Sequence, residues 1–365
     1  MITPLCMVVF AHFPAAEGMT RTSSVDPAKL AREYASAIEK LNDAQARKSE
    51  AKTEEDLAAK LPKEAKRALG SLIDVQKGPE LSAALVTAGE AALDLALLDD
   101  FEKIRTKLEG LDQAATESLG IALSRPRFLA RGTEGVEIEG LTAIADTLDL
   151  VLDAYDEVFG IKSFSKVPGK KLRLRAHLVE KIERPPHFAP QFPFHSEIDF
   201  PVIDAQAFRS PTEDGKFLFY GLCHELGHVV AMWGDRSKEE DHHSWAHYTG
   251  VVIVEHLAGK KPVAEVLAEL KDVRWRSLEK ERELIDRAKT KPSVDDAKGV
   301  MALLVQLHDV VGPKVIGEAV EAMSAEEKGI RINRVRYYRF KDFEEALIAT
   351  ERGKKKRKDV EKLFR

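Results

Sequence analysis

The chain has 365 residues, of which 44% are hydrophobic and 32% charged, so it can bury a core and is not disordered throughout. Its net charge of −5 lacks the strongly basic balance typical of nucleic-acid-binding proteins, and we expect no nucleic-acid partner. Cys6 and Cys223 are the two cysteines, which excludes a disulfide framework and a multi-cysteine zinc site. Metal chemistry would therefore need histidine and carboxylate ligands.

The first 18 residues form a short apolar stretch that ends in small residues. This pattern resembles a signal peptide with a weak cleavage site near Ala16, although no lysine or arginine precedes it. We interpret residues 1–20 as a signal peptide or a disordered N-terminus, so the localisation is either extracytoplasmic or cytoplasmic. A true start at Met19 and a simple N-terminal strand are the alternatives. The stretch is too short to span a membrane, and we expect no stable membrane span.

Residues 24–123 are rich in alanine, leucine, glutamate and lysine, which predicts a helical N-terminal module. Leu30, Tyr34, Ile38 and Leu41 follow one another at helical spacing and form one apolar stripe. We interpret the module as a packing or interaction unit without a catalytic role. It also motivates one alternative for the whole chain, a metal-free helical interaction protein.

Residues 125–365 are predicted to form a second domain that combines many helices with a small sheet, which makes the fold class α+β and mostly helical. Charged and apolar residues alternate over 171–179, the pattern of a half-buried strand. The proline-rich segment from Pro185 to Pro193 is predicted to be a loop, and a second strand is predicted at 195–203. Pro201 lies within it and favours an edge position, because proline cannot donate a hydrogen bond to a neighbouring strand.

His224, Glu225 and His228 form the pattern H-E-x-x-H inside a predicted helix. A step of four residues brings both imidazoles onto one face of a helix, where they can bind one zinc ion. Glu225 would then point at water held on that ion. The motif is short enough to occur by chance, so its surroundings must support it. The next predicted helix does so, because it holds three of the chain's eleven histidines within six residues, at positions 242–247.

The segment from Lys171 to Gly259 resembles the core of the gluzincin metallopeptidases, the clan of thermolysin and the membrane-alanyl-type aminopeptidases. In that clan an edge strand precedes the H-E-x-x-H helix. The third zinc ligand is a glutamate on the next helix, in a context like Glu-Gly-Trp/Phe-Ala-x-Tyr. The six residues His243-Ser-Trp-Ala-His-Tyr248 match this pattern with histidine at the glutamate position. The resemblance implies a zincin-like domain with a small sheet, the motif helix, a ligand helix and a helical C-terminal part.

The third zinc ligand is the least determined part of this site. The resemblance favours His243, and histidine is an adequate zinc ligand. Asp241, His247 and Glu255 lie on the same predicted helix and are the alternatives. On one helix His247 shares a face with His243, so it could also orient that ligand.

The resemblance further implies zinc-dependent hydrolysis of a peptide or protein substrate. Zinc lowers the pKa of its bound water, and Glu225 takes the proton and passes it to the leaving amine. The clan aligns extended substrates along the edge strand, here His195, Ser196, Glu197, Ile198, Asp199 and Phe200. Candidate donors to the oxyanion are Tyr337, Tyr338 and His308. The unusual His243 motivates an alternative, a zinc-binding but inactive family member that serves as a binding or scaffold protein. No pattern indicates cleavage specificity or oligomeric state.

Overall fold

The computed structural model describes residues 26–48, 54–78, 80–133, 135–162, 164, 171–180, 187–191, 195–202, 213–231, 240–258, 292, 297–326, 328–332 and 335–365. The signal-like stretch at residues 1–20 lies outside them, so the predicted cleavage and localisation are not tested.

The described residues of the N-terminal part form six helices. They are α1 (Pro27–Lys48), α2 (Glu54–Ala59), α3 (Lys63–Asp74), α4 (Leu81–Asp94), α5 (Leu98–Glu109) and α6 (Gln113–Leu119). The predicted stripe is confirmed at Leu30, Tyr34 and Ile38, which are all buried in a core that these helices share. Leu129 from the sheet belongs to the same core. The helices therefore pack against the sheet, and their division into a separate module stays a prediction.

A five-stranded mixed sheet follows the helices, in the strand order β1-β2-β3-β5-β4. The strands are β1 (Ile121–Ser124), β2 (Phe128–Thr133), β3 (Leu172–Leu178), β4 (His187–Gln191) and β5 (His195–Val202). β3 lies parallel to β2 and β5, whereas β1 and β4 run antiparallel to their neighbours. The alternation predicted for β3 is confirmed on one face, where Leu172, Leu174 and Ala176 are buried.

The predicted edge position of the strand at 195–203 is wrong. β5 pairs with β3 on one side and with β4 on the other, so it is an internal strand and β4 is the outer one. Pro201 is tolerated because the described part of β4 pairs with β5 only as far as Asp199. The outer strand carries a proline of its own, Pro190, in a segment whose proline content predicted a loop.

The remaining described helices follow, and all but the short one at Glu351–Lys355 form the main core with the sheet. They are α7 (Ile138–Phe159), α8 (Glu213–Val230), α9 (Glu240–Leu257), α10 (Ala297–Val311), α11 (Pro313–Ala325), α12 (Phe340–Ala349), α13 (Glu351–Lys355) and α14 (Arg357–Leu363). A hairpin of β6 (Ile330–Ile332) and β7 (Val335–Tyr337) separates α11 from α12. This composition confirms a mostly helical α+β fold at the coarse level.

None of the described helices is by itself long and apolar enough to cross a membrane. Two consecutive segments, Gly299–Val311 and Pro313–Ala325, meet the length and composition criterion only when taken together across a bend of 111°.

Two glycines in helices provide a test of the packing. A Cβ at Gly317 in α11 would collide with the carbonyl oxygen of Phe159 at the end of α7, whereas a Cβ at Gly70 in α3 meets nothing within 4 Å. We expect Gly317→Ala to lower the free energy of unfolding by roughly 1–3 kcal/mol. Gly70→Ala should raise it by about 0.5–1 kcal/mol, because alanine restricts the unfolded chain. Urea denaturation measures both, and wild-type stability of Gly317→Ala would contradict this packing.

Candidate metal centre

The site is built on the close approach of α8 and α9. A Cβ at Gly227 in α8 would lie 2.5 Å from Oγ1 of Thr249 and 2.7 Å from Cα of Ala246. A Cβ at Gly250 in α9 would lie 3.3 Å from both Cα and N of His224. Each helix thus presents a glycine to the other helix, and a larger side chain at Gly227 would force the two apart.

Buried hydrogen bonds fix how the two helices are set against each other. Nε1 of Trp245 in α9 donates to the carbonyl oxygen of Gly227 over 3.0 Å. The hydroxyl of Tyr155 in α7 donates to the carbonyl oxygen of Cys223 over 2.7 Å and lies 3.2 Å from Oγ1 of Thr249. Burial raises the pKa of Tyr155 well above its usual value, so the phenol keeps its proton and stays a donor. α7, α8 and α9 are therefore connected directly beside His224.

Cys223 precedes the first histidine of the motif and lies in the core. Its side chain is fully buried. Burial raises the pKa of the thiol well above its usual value, which keeps it uncharged at neutral pH. Among the described residues, the group that could hold a metal ion consists of three histidines and does not include Cys223.

Three imidazoles meet where α8 and α9 pack together. Nε2 of His228 lies 3.2 Å from Nε2 of His224, and Nδ1 of His243 lies 3.4 Å from the same atom. All three candidate ligand atoms lie within 4.8 Å of one another. A tetrahedral zinc ion with Zn–N distances of 2.0–2.1 Å separates two of its nitrogens by roughly 3.3–3.4 Å. The histidines are therefore close enough to hold one metal ion.

Burial differs between the members of this group. His224 and His228 are 8% and 7% exposed, whereas His243 is exposed on its helix. The group thus has a closed side within the core and an open side towards solvent.

Glu225 lies beside the three histidines. Its side chain is 7% exposed, and Oε1 lies 4.0 Å from Nε2 of His224. The carboxylate is thus next to a candidate ligand atom without belonging to the three-nitrogen group. This is a suitable place for a proton acceptor that acts on water near the group.

Among the predicted third ligands, the structure brings His243 to the pair on α8. Nδ1 of His247 lies 2.7 Å from the hydroxyl of Tyr220, and its ring contacts the His224 ring with centroids 4.5 Å apart. Glu255 is exposed and lies roughly three turns further along α9 than His243. The side chain of Asp241 is outside the described part of the structure.

The predicted oxyanion donors lie outside α8 and α9. Nδ1 of His308 in α10 lies 3.1 Å from the hydroxyl of Tyr248 in α9. Tyr338 is buried in the main core, and Tyr337 is partly exposed at the end of β7. A role of any of the three as an oxyanion donor stays a prediction.

Two tyrosines near the site escaped the sequence interpretation. Tyr220 lies one turn before His224, so the spacing 220, 224, 228 already places it on the ligand face of α8. Tyr155 reaches the site from a helix more than 60 residues away in sequence, and no local pattern announces that contact.

Comparison with protein-family models, with curated proteins and with solved structures finds no match to this chain. The resemblance to the gluzincins therefore stays a hypothesis. It rests on the motif in α8 and on the position of His243 beside it.

Adding one methyl group at Gly227 tests whether the packing of α8 on α9 positions the three histidines. Gly227→Ala places a Cβ against Thr249 and Ala246, which moves His243 away from the pair on α8. We expect zinc affinity to fall about 10- to 100-fold, the usual cost of disturbing the groups that orient metal ligands. Competition with a chromophoric chelator measures the affinity, and Gly70→Ala serves as the control. Unchanged zinc affinity in a folded Gly227→Ala protein would show that this contact does not position the ligands.

Proposed function

We propose that the protein is a zinc-dependent peptidase in which His224, His228 and His243 hold the metal and Glu225 acts as the general base. The observation that carries the proposal is a buried carboxylate 4.0 Å from one of three imidazole nitrogens that lie within 4.8 Å of one another. The resemblance to the gluzincin metallopeptidases supports the same assignment, with histidine in place of the clan's glutamate.

The donor set favours zinc. Imidazole nitrogen suits zinc, copper, iron and nickel, and nitrogen separations of 3.2 and 3.4 Å agree with tetrahedral geometry. Three protein ligands with a fourth position open is the usual arrangement of a catalytic zinc site. When bound, zinc supplies a Lewis acid that polarises a carbonyl group and lowers the pKa of water.

Glu225 distinguishes a catalytic site from a structural one. Burying a carboxylate costs free energy, and three imidazoles can hold a metal without it. In hydrolysis this carboxylate accepts a proton from the attacking water and delivers it to the leaving amine. The exposed side of the group at His243 gives a substrate access to the same place.

The edge of the sheet provides a surface for an extended peptide. β4 is the outer strand of the described sheet on this side, and it approaches α8. A peptide that pairs with β4 as an additional strand would extend the sheet on the side of the motif helix. The substrate-aligning role expected of residues 195–200 therefore moves to residues 187–191, since β5 is covered by β4.

Glu225→Gln removes the base and preserves the size of the side chain. We expect kcat for peptide cleavage to fall by about 10²- to 10⁴-fold while the zinc content stays the same. Glu318→Gln, an exposed change on α11, is the control. Digestion of a peptide library, followed by mass spectrometry with and without a zinc chelator, measures the activity.

Three results would contradict the proposal in different ways. Equal activity of Glu225→Gln and wild type would remove Glu225 from the reaction. Stoichiometric zinc without cleavage of any library peptide would favour the zinc-binding scaffold. Absence of zinc binding would favour the metal-free interaction protein.

A further inference from the structure

We propose that Tyr220 and His247 form a hydrogen-bonded pair that presents the Nε2–H group of His247 as a donor to the substrate's carbonyl oxygen. The catalytic part of this inference rests on the proposed peptidase function. The tautomer of His247 does not, and it can be tested separately.

The pair continues the ligand cluster along the same helix interface. Tyr220 lies one turn before His224 on α8, and His247 lies one turn after His243 on α9. The Tyr220 hydroxyl and Nδ1 of His247 are 2.7 Å apart, and the two rings stack at an angle of 21° with centroids 6.3 Å apart. His224 and His243 meet across the two helices, and one turn away Tyr220 and His247 meet across them in the same way.

The length of the hydrogen bond favours one of its two possible directions. A separation of 2.7 Å is usual when a hydroxyl donates, and it is the short limit when an N–H group donates. We therefore take the Tyr220 hydroxyl as the donor and Nδ1 of His247 as the acceptor. A neutral imidazole that accepts at Nδ1 carries its hydrogen on Nε2. Tyr220 in this way holds His247 as the Nε2–H tautomer.

His247 is placed where such a donor is useful. Its ring centroid lies 4.5 Å from that of His224. The His228 and His243 centroids lie further from the His224 centroid, at 4.9 Å and 5.6 Å. His224 is buried, whereas His247 is partly exposed, so a substrate bound at the cluster can reach it. Donors held in place where negative charge develops lower the barrier to hydrolysis.

His247 takes the role of oxyanion donor for which the sequence suggested His308, among others. His308 forms a similar contact with Tyr248. Its Nδ1 lies 3.1 Å from the Tyr248 hydroxyl, just as Nδ1 of His247 lies beside the Tyr220 hydroxyl. Among the described residues, α9 thus takes part in two tyrosine–histidine pairs, one that joins it to α8 beside the His224 ring and one that joins it to α10. This second pair provides a matched comparison.

The tautomer is tested by NMR on protein labelled with ¹⁵N-histidine, without added metal. The signals of His247 are those absent from the His247→Gln protein. We expect a long-range nitrogen–proton correlation pattern with the hydrogen on Nε2 in the wild type, and loss of that preference in Tyr220→Phe. A wild-type His247 with its hydrogen on Nδ1 would overturn the inference whether or not the protein is a peptidase.

The donor role is tested by kinetics on the zinc-loaded protein. His247→Leu should lower kcat about 100-fold with little change in KM, the usual cost of removing one oxyanion donor. His247→Gln, whose amide offers an N–H group, should recover at least about a tenth of the wild-type kcat. Tyr220→Phe should lower kcat, and Tyr248→Phe should not. Zinc content should stay at the wild-type level in all four variants.

Several results would overturn the donor role. Wild-type kcat in His247→Leu would remove His247 from the reaction, and loss of zinc from that variant would make it a ligand instead. A loss of kcat in Tyr248→Phe but not in Tyr220→Phe would assign the donor to His308. A wild-type protein that cleaves no peptide would overturn both the donor role and the peptidase, while the NMR result would still decide the hydrogen bond.

Discussion

The packing of α8 on α9 at Gly227 is the constraint on which the candidate site depends. A four-residue step on α8 can bring only His224 and His228 together, and the third imidazole must come from another helix. Because Gly227 lies against Ala246 and Thr249 without a side chain of its own, α9 comes close enough to place His243 3.4 Å from His224. The hydrogen bond from Trp245 to the Gly227 carbonyl then holds the two helices in register.

The two candidate ligands on α8 were readable from the sequence because their spacing is a local property of one helix. The candidate for the third ligand was not, since His243 and His247 lie one turn apart on the same face of α9 and local spacing treats them alike. The crossing point of the helices distinguishes them. It brings Nδ1 of His243 to 3.4 Å from Nε2 of His224, whereas Nδ1 of His247 meets the Tyr220 hydroxyl one turn further along.

The sheet shows the same division between local and non-local information. Alternating residues predicted β3 correctly, because burial of one face imposes that pattern on the strand itself. The order of the strands depends on contacts between distant segments. Pro201 suggested an outer strand, yet β4, with Pro190, pairs outside it. A proline restricts hydrogen bonding at one residue and does not report which strand lies beside it.

The most direct test of the account is zinc binding by the protein and by two histidine variants on the same helix. We expect one zinc ion per chain with three imidazole nitrogens in its X-ray absorption spectrum. His243→Ala should weaken binding by at least about tenfold, whereas His256→Ala, which removes an imidazole paired with Glu157, should leave it unchanged. Substoichiometric zinc in the wild type, or equal affinity of the wild type and His243→Ala, would contradict the proposed three-histidine centre.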